Sequence, residues 1–136
     1  MKNNVFSSLV VKAIEAREMS YSPYSGFKVG AALLCKDGTI YTGANIENAS
    51  FTPTVCAERV AFFTAINDGK RDFEAIAIVG GKNGEDISEF CPPCGVCRQV
   101  MSEFCSSDFK IILSDGKDIR VLTLDEVMPC RFDLLK

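Results

Sequence analysis

The clustering of cysteines in one segment constrains the fold of this chain more than any other part of the sequence. Three of its seven cysteines lie within the segment FCPPCGVCRQV, residues 90–100, and the chain contains no histidine. Four arrangements place sulfurs this closely: a disulfide-linked segment, a closed structural zinc site, a redox-active pair, or a zinc site with an open position.

The length and charge of the chain exclude several functional classes. Its 136 residues predict one domain, residues 1–136, that buries a core without disulfide support. The formal net charge is −3 and no run of Lys and Arg stands out, which argues against nucleic acid or an anionic membrane as the partner. No apolar stretch is long enough to span a bilayer.

The amino-terminal segment does not resemble an export signal. MKNNVFSSLVVKAIEAREM becomes charged early and lacks the apolar core and small-residue cleavage site of a signal peptide. We therefore predict a cytoplasmic location, where thiols stay reduced. Because the number of cysteines is also odd, a disulfide-linked segment is disfavoured and metal binding or catalysis is favoured.

Hydrophobic periodicity predicts the first half of the secondary structure. Apolar residues at helical spacing predict an amphipathic helix over about residues 5–19. Residues 27–46 read as two strands joined by a turn at Asp37-Gly38. After a polar loop, residues 55–69 predict a second helix that Gly69 ends.

The second half alternates between strands and helices. EAIAIVGG, residues 74–81, predicts a strand buried on both faces. A helix starts at the cysteine-rich segment, and two strands follow it, joined by an Asp-Gly turn too short for a parallel crossover. Thr123 and Glu126 form a predicted capping box for a last short helix. The order α-β-β-α-β-α-β-β-α predicts an α/β fold with helices on both faces of one sheet.

Cys94 and Cys97 have the spacing of metal ligands. Two intervening residues let both sulfurs reach one tetrahedral ion. A redox pair has the same spacing, but it would precede a helix in a thioredoxin-like unit near the chain start, which is not the predicted layout. Helix N-termini favour thiolate over thiol, and Cys56 also opens a predicted helix.

The number of ligands decides between a structural and a catalytic zinc site. A structural site needs four ligands, whereas a catalytic site takes three and leaves a position for water. Cys91 is the candidate fourth ligand, but it lacks the preceding proline that Cys94 has, and a fourth thiolate leaves no room for water. Glu58 lies two residues after Cys56, where its carboxylate can reach that water. Taken alone, Glu58 is equally well explained as a favourable partner for the helix dipole.

The combination of CAE, residues 56–58, with PCGVC, residues 93–97, is the signature of zinc-dependent deaminases. Together with SPYSGFKVGAAL, GANIENAS, TVCAERVA and the terminal PCRF, it makes the chain resemble small, homotetrameric cytidine deaminases over nearly its whole length. The resemblance implies a three-layer αβα sandwich with a mixed five-stranded sheet. It also implies one zinc ion per chain, bound by Cys56, Cys94 and Cys97.

The resemblance further implies roles for the residues around the metal. Glu58 is the expected proton carrier. The nucleoside is expected to contact Phe27, Asn45, Glu47, Ala57 and Phe132. Phe132 is expected to reach a neighbouring subunit's site, although Arg131 stands where the family has a small residue.

The implied reaction is the deamination of cytidine and deoxycytidine to uridine and deoxyuridine plus ammonia, a step of pyrimidine salvage. In this mechanism zinc lowers the pKa of water, Glu58 accepts the proton, and hydroxide attacks C4 of the cytosine ring. The expected partner is a small nucleoside, not nucleic acid or a membrane.

Three thiolates supply much negative charge to a zinc ion and make it a poor Lewis acid. Arg59 and Arg98 lie next to the two cysteine motifs, and we predict that they hydrogen-bond the sulfurs. The alternative is that both are surface arginines on exposed helix turns. The other cysteines are predicted to be thiols that do not bind the metal: Cys35, Cys91, Cys105 and Cys130.

Three other functions fit parts of the sequence. A non-enzymatic zinc module would use Cys91 as a fourth ligand, but Glu58 and the size of the core argue against it. A deaminase of the same fold could act on another cytosine compound, such as blasticidin S; Asn45 with Glu47 favours an ordinary ribose. A nucleic-acid editor is disfavoured because no basic groove is predicted.

Overall fold

The computed structural model describes residues 2–135. It contains the predicted order of elements. The helices are α1 (Lys2–Ala16), α2 (Ala57–Asn67), α3 (Gly95–Phe104) and α4 (Leu124–Val127). The strands are β1 (Phe27–Cys35), β2 (Ile40–Ala44), β3 (Phe73–Lys82), β4 (Lys110–Ser114) and β5 (Ile119–Thr123). The first helix differs in its bounds from the predicted residues 5–19, because its last turn, Arg17–Met19, is a tighter 3₁₀ turn.

The five strands form one mixed sheet in the order β2-β1-β3-β4-β5. Only β3 and β4 pair in parallel; the other neighbours are antiparallel. A parallel pair needs a crossover connection, which α3 and its preceding segment supply. The antiparallel pairing of β4 with β5 confirms the prediction made from their short connection.

Local turn and capping signals are confirmed where they were strongest. Gly38 has a φ of +93°, and its amide donates to the Cys35 carbonyl over 3.0 Å at the β1–β2 turn. Gly116 has a φ of +94° in the β4–β5 turn. The capping box of Thr123 and Glu126 is present at the start of α4. Glycine suits both turns because it adopts positive φ without steric cost.

Helices cover both faces of the sheet and make three layers, as predicted. Apolar residues of α1 pack on one face against Ala32, Ala77, Val79 and Ile112. Apolar residues of α2, α3 and α4 pack on the other face, which includes Ala31, Leu33, Ile76 and Ile78. Strand β3 contributes to both clusters, which confirms that it is buried on both faces.

A glycine on β2 brings α2 unusually close to the sheet. A Cβ atom on Gly43 would lie 2.4 Å from the Ala57 carbonyl oxygen, so only glycine fits there. This contact fixes the first turn of α2, which carries Cys56 at its N-cap and Glu58. Within residues 2–135, no helix has the length and apolar character that crossing a membrane requires.

Candidate metal centre and active site

The sulfurs of Cys56, Cys94 and Cys97 meet between two helix N-termini. Cys56 is the N-cap of α2, Cys94 is the N-cap of α3, and Cys97 lies in the first turn of α3. The Sγ atoms of Cys56 and Cys94 are 3.6 Å apart, and those of Cys94 and Cys97 are 3.4 Å apart. All three lie within 4.8 Å of one another. The predicted association of residues from two distant segments is therefore present.

The spacing of the three sulfurs fits a zinc ion. A tetrahedral zinc with Zn–S bonds of about 2.3 Å holds its sulfurs about 3.8 Å apart, close to the observed separations. The donor set is all thiol, and three thiol ligands leave a fourth position for another group. Only this cluster of potential ligands occurs among the residues that the structure describes.

Within the cluster, the pKa values favour Cys56 as the thiolate. A hydrogen bond from the Cys97 thiol, together with the Arg59 guanidinium, lowers the pKa of Cys56 to about 5. The same contact with Cys56 raises the pKa of Cys97, which holds the shared proton. The positive end of the α2 dipole acts in the same direction on Cys56. Thiolate is the form that binds a metal.

The two arginines predicted to hydrogen-bond sulfur have different contacts. Arg59 Nη2 donates to Cys56 Sγ over 3.4 Å. Arg98 instead donates from Nε to the Pro93 carbonyl and from Nη1 to the Val127 carbonyl, each over 2.8 Å. The expected bond from Arg98 to a thiolate is thus not the one it makes. Arg98 anchors the start of α3 to the end of α4, because backbone carbonyls face its guanidinium.

Glu58 is buried beside the sulfur cluster. Its side chain lies on the first turn of α2, and only 4% of the residue is exposed. Burial raises the pKa of Glu58 to about 7, because desolvation disfavours the charged form. A carboxyl group that titrates near neutrality can both accept and deliver a proton.

Cys91 lies outside the metal cluster. Its sulfur packs over Gly80 of β3, next to the ring of Phe27. Burial raises the pKa of Cys91 to about 11, so the thiol stays protonated at neutral pH. Among residues 2–135, only the sulfurs of Cys56, Cys94 and Cys97 converge, so these residues form no four-cysteine site.

Asn45 follows β2 and connects several backbone groups near Phe27. Its Oδ1 accepts hydrogen bonds from Val29 N over 2.9 Å and from Ser20 Oγ over 2.5 Å, and its Nδ2 donates to the Phe27 carbonyl over 2.9 Å. An amide group has capacity for four hydrogen bonds. One N–H therefore remains for a ligand, and the sequence did not reveal the three structural bonds.

Glu47 holds the loop that precedes β1. Its carboxylate accepts from Tyr24 N over 3.0 Å, from Ser25 N over 3.1 Å and from Ser25 Oγ over 2.5 Å. The Ser25 hydroxyl contributes most to the lowered pKa of Glu47. Glu47 also lines a cavity of about 250 Å³ with Tyr24 and Phe51. No role for Ser25 was predicted from the sequence.

The other three residues predicted to contact the nucleoside differ in their exposure to solvent. Phe27 starts β1 and faces the side of the sheet that α2 and α3 cover, whereas Ala57 is fully buried in the first turn of α2. Phe132 lies in the carboxy-terminal tail that follows α4 and is 69% exposed. Its carbonyl accepts from Gln99 Nε2 over 3.3 Å, which ties the tail to α3. Phe132 is therefore not part of the site within its own chain.

Comparison with known proteins agrees with this geometry. Residues 4–113 match the family model described as the cytidine and deoxycytidylate deaminase zinc-binding region. A cytidine deaminase of Halalkalibacterium halodurans is 51% identical over 125 residues, which cover 91% of each chain. A blasticidin-S deaminase of Bacillus cereus is 32% identical over 127 residues, covering 91% of this chain and 89% of that protein.

The solved structures show the same architecture. The crystal structure of a cytidine deaminase from Burkholderia pseudomallei superposes with a TM-score of 0.85 at 42% identity, covering 93% of this chain and 98% of that one. The matched zinc-binding region contains the whole sulfur cluster, so Cys56, Cys94 and Cys97 bind the zinc ion. The chain thus belongs to the zinc-dependent cytidine and deoxycytidylate deaminase family.

Proposed function

We propose that this protein deaminates cytidine and deoxycytidine to uridine and deoxyuridine, with release of ammonia, as a step of pyrimidine salvage. The observation that carries the proposal is the position of Glu58, a buried carboxyl group next to a zinc site with three ligands. A structural zinc site has no need of such a group. Relatives named cytidine deaminase, one of them 51% identical, support the choice of substrate.

In the proposed mechanism, Glu58 transfers protons from water to the substrate. Zinc, when bound, supplies a nucleophile at neutral pH because it lowers the pKa of water. Glu58 would transfer both protons of the attacking water in turn. The first would go to N3 of the ring as the C4–O bond forms, and the second would go to the amino group as the C4–N bond breaks and ammonia leaves. The burial of Glu58 keeps bulk water from competing for these transfers. Arg59 offsets the negative charge of the thiolates through its bond to Cys56.

Two groups of residues are proposed to hold the nucleoside. Ala57 follows the zinc ligand Cys56 at the start of α2, and Phe27 lies on the face of the sheet that α2 covers. Both are proposed to contact the base. Glu47, with the remaining N–H of Asn45, is proposed to bind the ribose hydroxyls from the loop end of the site. Both side chains are already oriented by bonds to the backbone, which prepares them to bind without further ordering.

A free nucleoside fits these residues better than a nucleotide or a polynucleotide. The carboxylate of Glu47 would repel a phosphate in a partly buried site. Lys28 lies on the α1 face of β1, as does its neighbour Gly30, which approaches Ala13. Arg131 is engaged with Asp125 over 3.6 Å and with Ser107 Oγ over 3.0 Å. Neither Lys28 nor Arg131 is therefore placed to bind a phosphate at the proposed ribose site.

We also propose that the active enzyme is a homotetramer with sites shared between subunits. Phe51 is 93% exposed on the loop beside Glu47. The tail residues Phe132, Leu134 and Leu135 are exposed as well. Large exposed apolar side chains concentrated near a site are typical of an interface. In this arrangement Phe132 contributes to the base site of a neighbour. A single catalytic domain and a cytoplasmic location, where the thiols stay reduced, belong to the same proposal.

The test is to incubate the purified, zinc-loaded protein with cytidine, deoxycytidine, cytidine 5′-monophosphate and blasticidin S, each at the same concentration. Loss of the cytosine absorbance and release of ammonia report the reaction. We expect turnover of both nucleosides and a much lower kcat/KM for the monophosphate. Preference for blasticidin S would favour the related deaminase class. Absence of ammonia with every compound would leave the structural zinc module as the better explanation.

A further inference from the structure

The space above Gly80 holds two side chains that belong to distant parts of the sequence. A Cβ atom on Gly80 would lie 2.8 Å from Cε2 of Phe27 and 2.9 Å from Sγ of Cys91. Real Cβ atoms do not approach other atoms so closely. The ring edge of Phe27 and the sulfur of Cys91 therefore rest side by side on the bare backbone of β3.

Phe27 reaches this position from the neighbouring strand. It is the first residue of β1 and pairs with Lys82 of β3, two residues beyond Gly80. Strand alternation points Phe27 and Gly80 to the face that α2 and α3 cover. The ring of Phe27 is only partly buried, so contacts within the pleat do not by themselves determine where it lies.

Cys91 reaches the same place from the segment between β3 and α3. Phe90 packs against the core, and the guanidinium of Arg120 lies 4.3 Å from the centre of its ring. Pro92 and Pro93 follow Cys91 and restrict the backbone. Cys91 is therefore anchored on both sides, whereas Phe27 is 37% exposed.

The surroundings of Cys91 keep it in the thiol form. Burial, and then the negative charges of Glu58 and Cys56, raise the pKa of Cys91 to about 11. A protonated sulfur next to an aromatic ring edge makes a favourable, polarisable contact. Cys91 and Phe27 also line the same cavity, of about 440 Å³, together with Gly81 and Pro92.

We propose that Cys91 is a positioning residue for the substrate base: its sulfur fixes the ring of Phe27 above Gly80, in the orientation that contacts the cytosine ring. The inference rests on the proposed function, in which Phe27 binds the base. Cys91 acts through Phe27 and takes no part in bond breaking. Its removal is expected to affect ground-state and transition-state binding equally, which raises KM without lowering kcat.

The first measurement compares steady-state kinetics of Cys91→Ala with the wild-type enzyme. We expect KM for cytidine to rise by about two- to tenfold, the range that sulfur–aromatic contacts provide, with kcat and zinc content unchanged. Cys35→Ala is the control, because Cys35 is a buried thiol at the end of β1 opposite to Phe27. It is expected to lower the thermal midpoint and leave KM as it is.

A double-mutant cycle tests whether Cys91 acts through Phe27. In a Phe27→Leu background, Cys91→Ala is expected to cause no further rise in KM. Additive effects would overturn the inference. Gly80→Ala disturbs the same contact from β3 and is expected to raise KM in the same way, which keeps the test open if Cys91→Ala folds poorly.

The outcomes for the two proposals are distinguishable. A wild-type protein that releases no ammonia from cytidine overturns the proposed function and this inference with it. An active wild-type enzyme with an unchanged KM in both Cys91→Ala and Gly80→Ala overturns only the role of Cys91. Loss of zinc from Cys91→Ala would likewise contradict a positioning role, since it would make Cys91 a metal ligand.

Discussion

Arg59 Nη2 donates a hydrogen bond to Cys56 Sγ over 3.4 Å. The sulfur is the N-cap of α2 and the arginine lies one turn later in the same helix. One helix therefore supplies both a zinc ligand and a positive charge that offsets it. Thiolate ligands donate electron density to zinc and make it a weaker Lewis acid. The positive charge of Arg59 therefore helps the zinc ion to activate water.

Replacing Arg59 is expected to lower activity more than it lowers stability. In Arg59→Gln we expect kcat/KM for cytidine to fall by about 10- to 100-fold, as for other residues that hydrogen-bond metal ligands. Arg98→Gln is the comparison, because Arg98 donates only to the Pro93 and Val127 carbonyls. It is expected mainly to lower the thermal midpoint. Equal losses of activity in both variants would contradict this distinction.

Replacing Glu58 is expected to stop proton transfer without removing the metal. Glu58→Gln keeps the size of the side chain, so the sulfur cluster should still bind one zinc ion per chain. The rate should fall by at least about 100-fold, the lower limit for general acid–base catalysis. Metal analysis and single-turnover kinetics check the two statements. Glu126→Gln is the control, because Glu126 caps the distant helix α4; near-normal turnover in Glu58→Gln would rule out the mechanism.

Removal of zinc is expected to inactivate the protein without unfolding it. Apolar clusters on both faces of the sheet extend far beyond the sulfurs, and a core of this size does not depend on a metal. After chelation, the far-ultraviolet circular dichroism should persist while ammonia release stops, and the thermal midpoint should fall because bound zinc stabilises the native state. Zinc addition should restore activity. Complete unfolding on chelation would instead indicate a structural zinc site.

The tail is expected to act only in the assembled protein. Phe132→Ala should keep its zinc, and KM should rise by about fivefold or more, the lower range for contacts between an aromatic side chain and a base. Analytical ultracentrifugation measures the mass of the active species. A fully active monomer would exclude a site shared between subunits.

The backbone conformation of Cys130 is expected to be strained and to lower the stability of the folded protein. Its φ of +55° is in the left-handed region, where it is the only residue other than glycine among residues 2–135. Cys130→Gly should raise the free energy of unfolding by about 0.5–1 kcal/mol, because relief of the strain exceeds the added entropy of the unfolded chain. Cys130→Val should lower it, since a β-branched residue tolerates positive φ poorly. Urea denaturation measures both changes; a gain with valine would contradict the explanation.

Features that depend on neighbours in the chain could be predicted from the sequence alone. The turns at Gly38 and Gly116, the capping box of Thr123 and Glu126, and the helix starts at Cys56 and Cys94 were all predicted. Each follows from backbone preferences over a few residues. The spacing of Cys94 and Cys97 belongs to the same class, because two intervening residues place both sulfurs on one helix turn.

Contacts between distant segments were decided only by the tertiary structure. The sequence placed Arg59 and Arg98 equally near the cysteines, but the carbonyls of Pro93 and Val127 surround Arg98 and leave only Arg59 on the thiolate. The three bonds that occupy the Asn45 side chain and the shared place of Phe27 and Cys91 above Gly80 were not predicted either. Such contacts depend on how strands and helices pack at ångström distances, and local preferences carry no information about that packing.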